Sequence, residues 1–167
     1  MDSHLQTYGF SPFFAAALAP GESPDFAARI IQEHKEAYLV AAKPGHIWAE
    51  ISGKLRHHGA VRADFPAVGD WVLLRGLSDK HDGPAQITRI LPRKTTLVRR
   101  LPADEQLLAT NVDLAFLGSS LNDNFNLRRL ERYLTLARES HALPVVLLTK
   151  ADLCPDPQPF ISQSHAV

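Results

Sequence analysis

NVDLAFLGSSLNDNFNLRRLERYLTLARESHALPVVLLTKADL, residues 111–153, carries two different hydrophobic periods in one run. Val112 to Leu117 is an apolar stretch, interrupted by Asp113, that ends in Gly118, Ser119 and Ser120. It reads as a buried strand running out into small residues. Leu127, Leu130, Leu134 and Ala137 then recur at helical spacing, with Arg128, Arg129, Glu131, Arg132 and Arg138 largely on other faces and Asn126 as N-cap. His141 and Pro144 close the helix region, and VVLLT begins a second strand. Strand, helix, strand is a βαβ unit, the element from which helix-covered parallel sheets are built. One such unit cannot cover both faces of its own sheet, so the stretch reads as the start of an incomplete α/β domain.

Lys150 and Asp152 fall where the second strand runs out, the edge at which open α/β sheets bind ligands. A carboxylate there accepts two hydrogen bonds from the guanine N1–H and exocyclic amine, a donor pair that adenine lacks. The Lys stem can lie over the base face. Lys-x-Asp equally fits a strand that ends in solvated charges, and the pattern alone leaves both readings open. Phosphate binding in such domains uses G-x-x-x-x-G-K-[ST], whose backbone amides and Lys surround the phosphates. The only Gly-Lys pair here is Gly53-Lys54, with Trp48 in place of the first Gly and Leu55 in place of Ser or Thr, and no glycine follows Gly118.

Between Phe26 and about Leu101 the texture is different. AARIIQ, AYLVAA, HIWAEI, DWVLLR and AQITRIL are short alternating runs separated by turn signals such as Pro44-Gly45, Gly53 and Gly69-Asp70. A further turn signal is Asp82-Gly83. Five short strands in this span predict a small barrel, for which an SH3-like barrel and an OB-fold both fit. Residues 1–25 are punctuated by Pro12, Pro20, Gly21 and Pro24 and read as an arm with at most a short amphipathic helix. FFAAALA lacks the preceding basic residues of a signal peptide. The closing PDPQPFISQSHAV reads as disordered or loosely packed.

The chain of 167 residues is 45% hydrophobic and 22% charged, the balance of a globular protein that buries a core. Lys plus Arg and Asp plus Glu number 18 each, so only the distribution of charge can point to a partner. Residues 83–103 contain no acid but include Arg89, Arg93, Lys94, Arg99 and Arg100, and a second basic group is Lys54, Arg56, His57, His58 and Arg62. Such groups suit a phosphate backbone, or they solvate a barrel surface. His57 and His58 are adjacent and lack a completing ligand set, so no metal site is expected. The lone Cys154 excludes an internal disulfide and a Cys-based zinc site and reads as a free structural thiol. No stretch approaches the roughly 18 apolar residues of a membrane span, and the cytoplasm is the expected compartment.

YGFSPFF, ISGKLRH, FPAVGDWV, ILPRKTTLVRR, NVDLAFLGSSLNDNFNLRRLERYL and PVVLLTKADL together resemble the N-terminal portion of the ribosome small subunit-dependent GTPase A family, from about Tyr8 to Leu153. The resemblance implies an OB-fold domain, a circularly permuted GTPase domain whose base-reading motif precedes its phosphate loop, and a C-terminal zinc-binding domain whose ligands lie beyond this chain. Thr149, Lys150, Ala151 and Asp152 match the family's Asn-Lys-x-Asp, with Thr149 departing from the usual Asn. The implied rRNA contact falls on Arg56, Arg93, Lys94, Arg99 and Arg100. The expected architecture is an arm (1–25), then an all-β OB-fold-like RNA-binding barrel (26–101). The first βαβ unit of an incomplete, circularly permuted α/β P-loop GTPase domain follows (102–167). The expected function is late maturation of the small (30S) ribosomal subunit, with GTP and Mg²⁺ used by the intact family type. Without a phosphate loop this chain is expected not to hydrolyse GTP by itself, and no catalytic residue is assigned. The alternatives are a non-enzymatic rRNA-binding adaptor and a nonfunctional truncated fragment.

Overall fold

The computed structural model describes residues 3–35, 37–77, 83–101 and 104–167. They form two units, Met1–Lys94 with Leu107–Asn111, and Thr95–Gln106 with Val112–Val167.

In the first unit the five short runs become β1 (Ala27–Glu33), β2 (Tyr38–Ala42), β3 (Gly45–Ile51), β4 (Trp71–Arg75) and β5 (Ala85–Ile90). They close into a barrel in the order β1-β2-β3-β5-β4, with β4 pairing back on β1. Every pairing is antiparallel except β3 with β5. Of the two barrels that fit the strand count, this is the OB-like one. Alternation sends Ala28, Ile30, Val40, Ala42, Ala49, Val72, Leu74 and Ile87 into the barrel interior. The short helix α3 (Gly53–His58) follows β3, and Ser52 Oγ accepts from Leu55 N at 3.3 Å to cap it.

WVLL in β4 is apolar without alternation because both of its faces are covered. Val72 and Leu74 face the barrel interior, while Trp71 and Leu73 join Leu5, Phe10, Phe14, Ala27 and Leu91 in a second core. Phe10 meets the Trp71 ring edge-on at 4.8 Å between centroids. Residues 3–25 are therefore part of the folded unit: α1 (Ser3–Thr7) and α2 (Pro12–Ala16) supply that core. Glu22 fastens the same segment. Arg89 donates to both of its carboxylate oxygens, at 3.1 and 2.5 Å, and to Ala17 O at 3.0 Å.

A buried polar junction underlies β4. Asp70 has no exposed surface. Its Oδ1 accepts from Arg93 Nε at 2.8 Å and Thr110 Oγ1 at 2.6 Å, and its Oδ2 from Arg93 Nη2 at 2.6 Å and Ala67 N at 2.9 Å. Arg93 also donates to Ala63 O and Phe65 O. Gly69 is at φ +95°, and a Cβ there would stand 2.0 Å from Thr110 O, so only glycine fits.

The barrel strands end at Ile90, earlier than the expected boundary at residue 101. Thr96–Leu101 is β6, which pairs with β7 (Asp104–Thr110) in a two-stranded sheet. In the second unit β8 (Leu114–Ser120) and β9 (Leu143–Thr149) pair in parallel from Leu114↔Leu143 to Ser120↔Thr149. Helix α4 (Leu127–Glu139) connects them, capped by Asn126 Oδ1 accepting from Arg129 N at 2.9 Å. Leu130, Leu134 and Ala137 are its buried stripe. The opposite sheet face stays open, with Leu114 at 48%, Phe116 at 64% and Leu143 at 62% exposure. That is the face a further layer covers in an α/β domain. The closing segment is ordered as α5 (Gln158–His165), contrary to expectation, and Phe160 packs edge-on against Phe125 at 4.9 Å.

Removing one partner of a buried ion pair strands the other. Arg93→Met is expected to lower stability to urea by about 3–5 kcal/mol; a loss under about 1 kcal/mol would contradict the buried geometry. Hydrogen bonds from Ala19 N and then Arg89 hold the Glu22 carboxyl below its ordinary range. A depressed acid contributes stability above its unfolded pKa and loses it as pH falls through the folded value. Acidification below pH 4.5 should therefore loosen the N-terminal segment of the wild type, and a Glu22→Gln variant should lack that step in a fluorescence titration of Trp71.

Candidate guanine-nucleotide and RNA-contact sites

The parallel register brings the carboxyl ends of β8 and β9 to one edge. Leu121 N donates to Thr149 O at 2.8 Å, extending the ladder one residue past the pairing of Ser120 with Thr149. Lys150 then turns left-handed, at φ 58° and ψ 39°. Ala151–Leu153 forms a single 3-10 turn, in which Leu153 N donates to Lys150 O at 3.1 Å and Cys154 N to Ala151 O at 3.2 Å. Thr149, Lys150, Ala151 and Asp152 are all exposed. Among the described residues neither the Lys150 nor the Asp152 side chain has a hydrogen-bond or ion-pair partner, so ammonium and carboxylate are both available to a ligand.

The polar loop after β8 lies at the same edge of the sheet. Asn122 Oδ1 accepts from Ser120 Oγ at 2.8 Å and from Asn124 N at 3.1 Å, and Arg129 donates to Asn124 O at 2.6 Å. Of these, the sequence marks Ser120 as the end of a strand and Arg129 as part of the polar face of α4; the clustering of Ser and Asn before the N-cap of α4 signals a polar loop at Asn122 and Asn124. This edge offers an acceptor pair and a cation suited to the rim of a planar base. Among the described residues no group of three or more His, Cys, Asp or Glu could hold a metal ion.

The five predicted RNA contacts divide by environment. Arg56 is exposed on the last turn of α3, beside His57 and His58. Lys94 is exposed, with its ammonium over the rings of Phe13 and Phe14 at 5.6 and 5.1 Å. Arg99 is exposed on β6. The Arg100 side chain is 74% exposed and stands 3.6 Å from Glu105 and 3.7 Å from Glu139, distances at which exposed pairs hold weakly. Arg93 differs: its side chain is 16% exposed and its guanidinium is spent on Asp70 and two carbonyls. Among the described residues no helix is long and apolar enough to cross a membrane.

Comparison with known proteins agrees with this geometry. The RsgA GTPase family model matches residues 90–166. A small ribosomal subunit biogenesis GTPase RsgA of Opitutus terrae is 46% identical over 162 residues, covering 91% of this chain and 44% of the relative. The protein named small ribosomal subunit biogenesis GTPase RsgA 2 of Lactiplantibacillus plantarum is 46% identical over 158 residues, with 93% and 44% covered. The solved structure of YloQ, described as a circularly permuted GTPase, superposes with a TM-score of 0.59 at 24% identity, over 84% of this chain and 46% of that one. YjeQ from Thermotoga maritima gives 0.60 at 20% identity, over 83% and 46%. The chain thus spans less than half the length of these relatives. With the barrel, the βαβ unit and the Lys-Ala-Asp turn in the arrangement described, the chain belongs to the RsgA GTPase family.

Proposed function

We propose that these residues supply the base-selecting edge and an RNA-binding barrel of a cytoplasmic GTPase acting in late maturation of the small ribosomal subunit. The observation that carries this reading is the Lys150–Asp152 turn, exposed and unpartnered at the carboxyl edge of the parallel pair β8–β9. The names of the relatives support it. In this reading the Asp152 carboxylate accepts from the guanine N1–H and exocyclic amine, and the Lys150 stem covers the base face. Adenine, which lacks that donor pair, leaves the carboxylate unpaired and is rejected. Thr149 lacks the amide with which Asn would tie the loop, and the bond from Leu121 N to its backbone carbonyl is one that either residue would make. Mg²⁺, when bound, neutralises charge on the phosphates. The phosphate-loop pattern is not among the 167 residues, and the base edge is this chain's part of the site.

The barrel's share is electrostatic. The predicted cations that stay exposed are Arg56 and Lys94 in the first unit, with Arg99 and Arg100 on β6 in the second, and each phosphate they neutralise adds salt-dependent affinity. Arg93 acts indirectly, by holding the segment from which Lys94 projects. The adaptor reading keeps this half of the function alone, and the closed barrel favours it as the second reading.

Two measurements test the proposal. The 167-residue chain should show no multiple-turnover GTP hydrolysis and no submillimolar GTP binding. Hydrolysis that disappears in Asp152→Ala would overturn the division of the site. The chain should co-sediment with small ribosomal subunits at moderate salt, and reversal of Arg56, Lys94, Arg99 and Arg100 to Glu should release it. Undiminished association of that variant would sink the proposed surface.

A further inference from the structure

Trp48 stands 50% exposed on β3, while the other tryptophan, Trp71, is fully buried. β3 alternates outward with His46, Trp48 and Glu50, all exposed. Trp48 pairs with Leu39 of β2, and the His34 ring meets its indole edge-on at 5.2 Å. Beside the indole lies a cleft of about 660 Å³. Its walls include Ala37 from the β1–β2 loop, Leu77 and Pro84 from the β4–β5 connection, and Glu50 from β3. In a five-stranded OB-like barrel, the strand 2–3 face between these two loops is where oligonucleotides and oligosaccharides lie. None of Arg56, Arg93, Lys94, Arg99 or Arg100 lines this cleft.

The chemistry of the walls separates these ligands from one another and from a peptide. An indole offers its face to any nucleobase, and every base has a π-face to return. Glu50 lines the cleft and puts an acceptor where base-edge donors would fall, and Gln86 is its partner in the parallel register. Lys35, exposed and next to His34 in the β1–β2 loop, has no partner among the described residues and suits a phosphate. A stacking plane, edge acceptors and a flanking cation are the complement of an unpaired nucleotide. A duplex hides both the base faces and the edges that Glu50 would meet.

We propose that the Trp48 cleft is a stacking site for an unpaired base of single-stranded RNA. The proposal rests on reading the barrel as RNA-binding and narrows it to single strands and to a face that carries none of the predicted basic contacts. Hexauridylate should quench the emission of Trp48 and leave that of Trp71 unchanged. With fluorescein-labelled hexauridylate, Trp48→Ala should weaken binding roughly 5- to 150-fold, the range for losing one base–aromatic stack. Trp48→Phe should stay close to wild type, and a 12-base-pair duplex should compete poorly. Equal binding by wild type and Trp48→Ala, or equal competition by the duplex, would overturn the stacking site. So would loss of small-subunit association in Trp48→Ala without any oligonucleotide quenching, because the cleft would then meet a protein. Trp48-dependent oligonucleotide binding with no wild-type co-sedimentation would leave the cleft standing and remove the ribosomal reading.

Discussion

Asp70 is a carboxylate without exposed surface, and the first unit is arranged around satisfying it. Burying such a group costs several kcal/mol unless every lone pair finds a donor. Here Arg93, Thr110 and Ala67 supply them, and Asn111 continues the junction, donating to Gly69 O at 3.0 Å and accepting from Lys94 N at 2.8 Å. The participants come from three distant segments, 67–70, 93–94 and 110–111. The pairing fixes how the chain leaves β5 and returns after β7, because each segment has hydrogen-bonding groups that only the other two can satisfy. Gly69 belongs to the same constraint, since no side chain fits between it and Thr110. FPAVGDWV, ILPRK and NVD, separate stretches of the family resemblance, are thus parts of one junction.

This constraint also sorts the basic residues by role. Counting charge in residues 83–103 treats Arg89, Arg93 and Arg99 alike. In the first unit Arg89 clamps Glu22 and Arg93 neutralises Asp70, while Arg99, on β6 of the second, is exposed. The acids that take up Arg89 and Arg93 lie at positions 22 and 70, outside the acid-free window that made the stretch look like an RNA-binding surface. A charge run shows where cations are. Long-range pairing decides which of them remain for a ligand.

The same distinction between local and distant information explains what could be read in advance. The five barrel strands, α4 and its Asn126 cap follow from short alternating or wholly apolar runs, 3.6-residue spacing and a capping side chain, all visible within a dozen residues. The Lys-Ala-Asp turn is also local, and its place at the edge follows once β9 is recognised. The packing of residues 3–25 is not legible locally, because helices of five residues show no period and their Pro and Gly suggest breaks. Their stability comes from Phe10 and Phe14 against Trp71, some sixty residues away. Helix α5 hid behind Pro155 and Pro157 for a related reason, since its anchor is Phe125. Trp48 sat in plain view in HIWAEI, but strand alternation alone does not say that its outward face borders a cleft.

The base edge also carries a cost that bears on how the work of binding is divided. A left-handed conformation at a residue other than Gly or Asn is disfavoured by about 1–2 kcal/mol. Lys150 adopts it with no side-chain hydrogen bond or ion pair among the described residues to compensate. Gly would relieve that strain but would have no stem to lay over a base. Lys at this position combines a tight turn with an apolar stem that ends in a charge. Such an edge is suited to choosing between bases rather than to holding a nucleotide tightly. Its contacts are few, exposed and screened, whereas the charge of a nucleotide resides in its phosphates. In the proposed reading selectivity and affinity therefore belong to different parts of the site, and the turn after β9 serves the first.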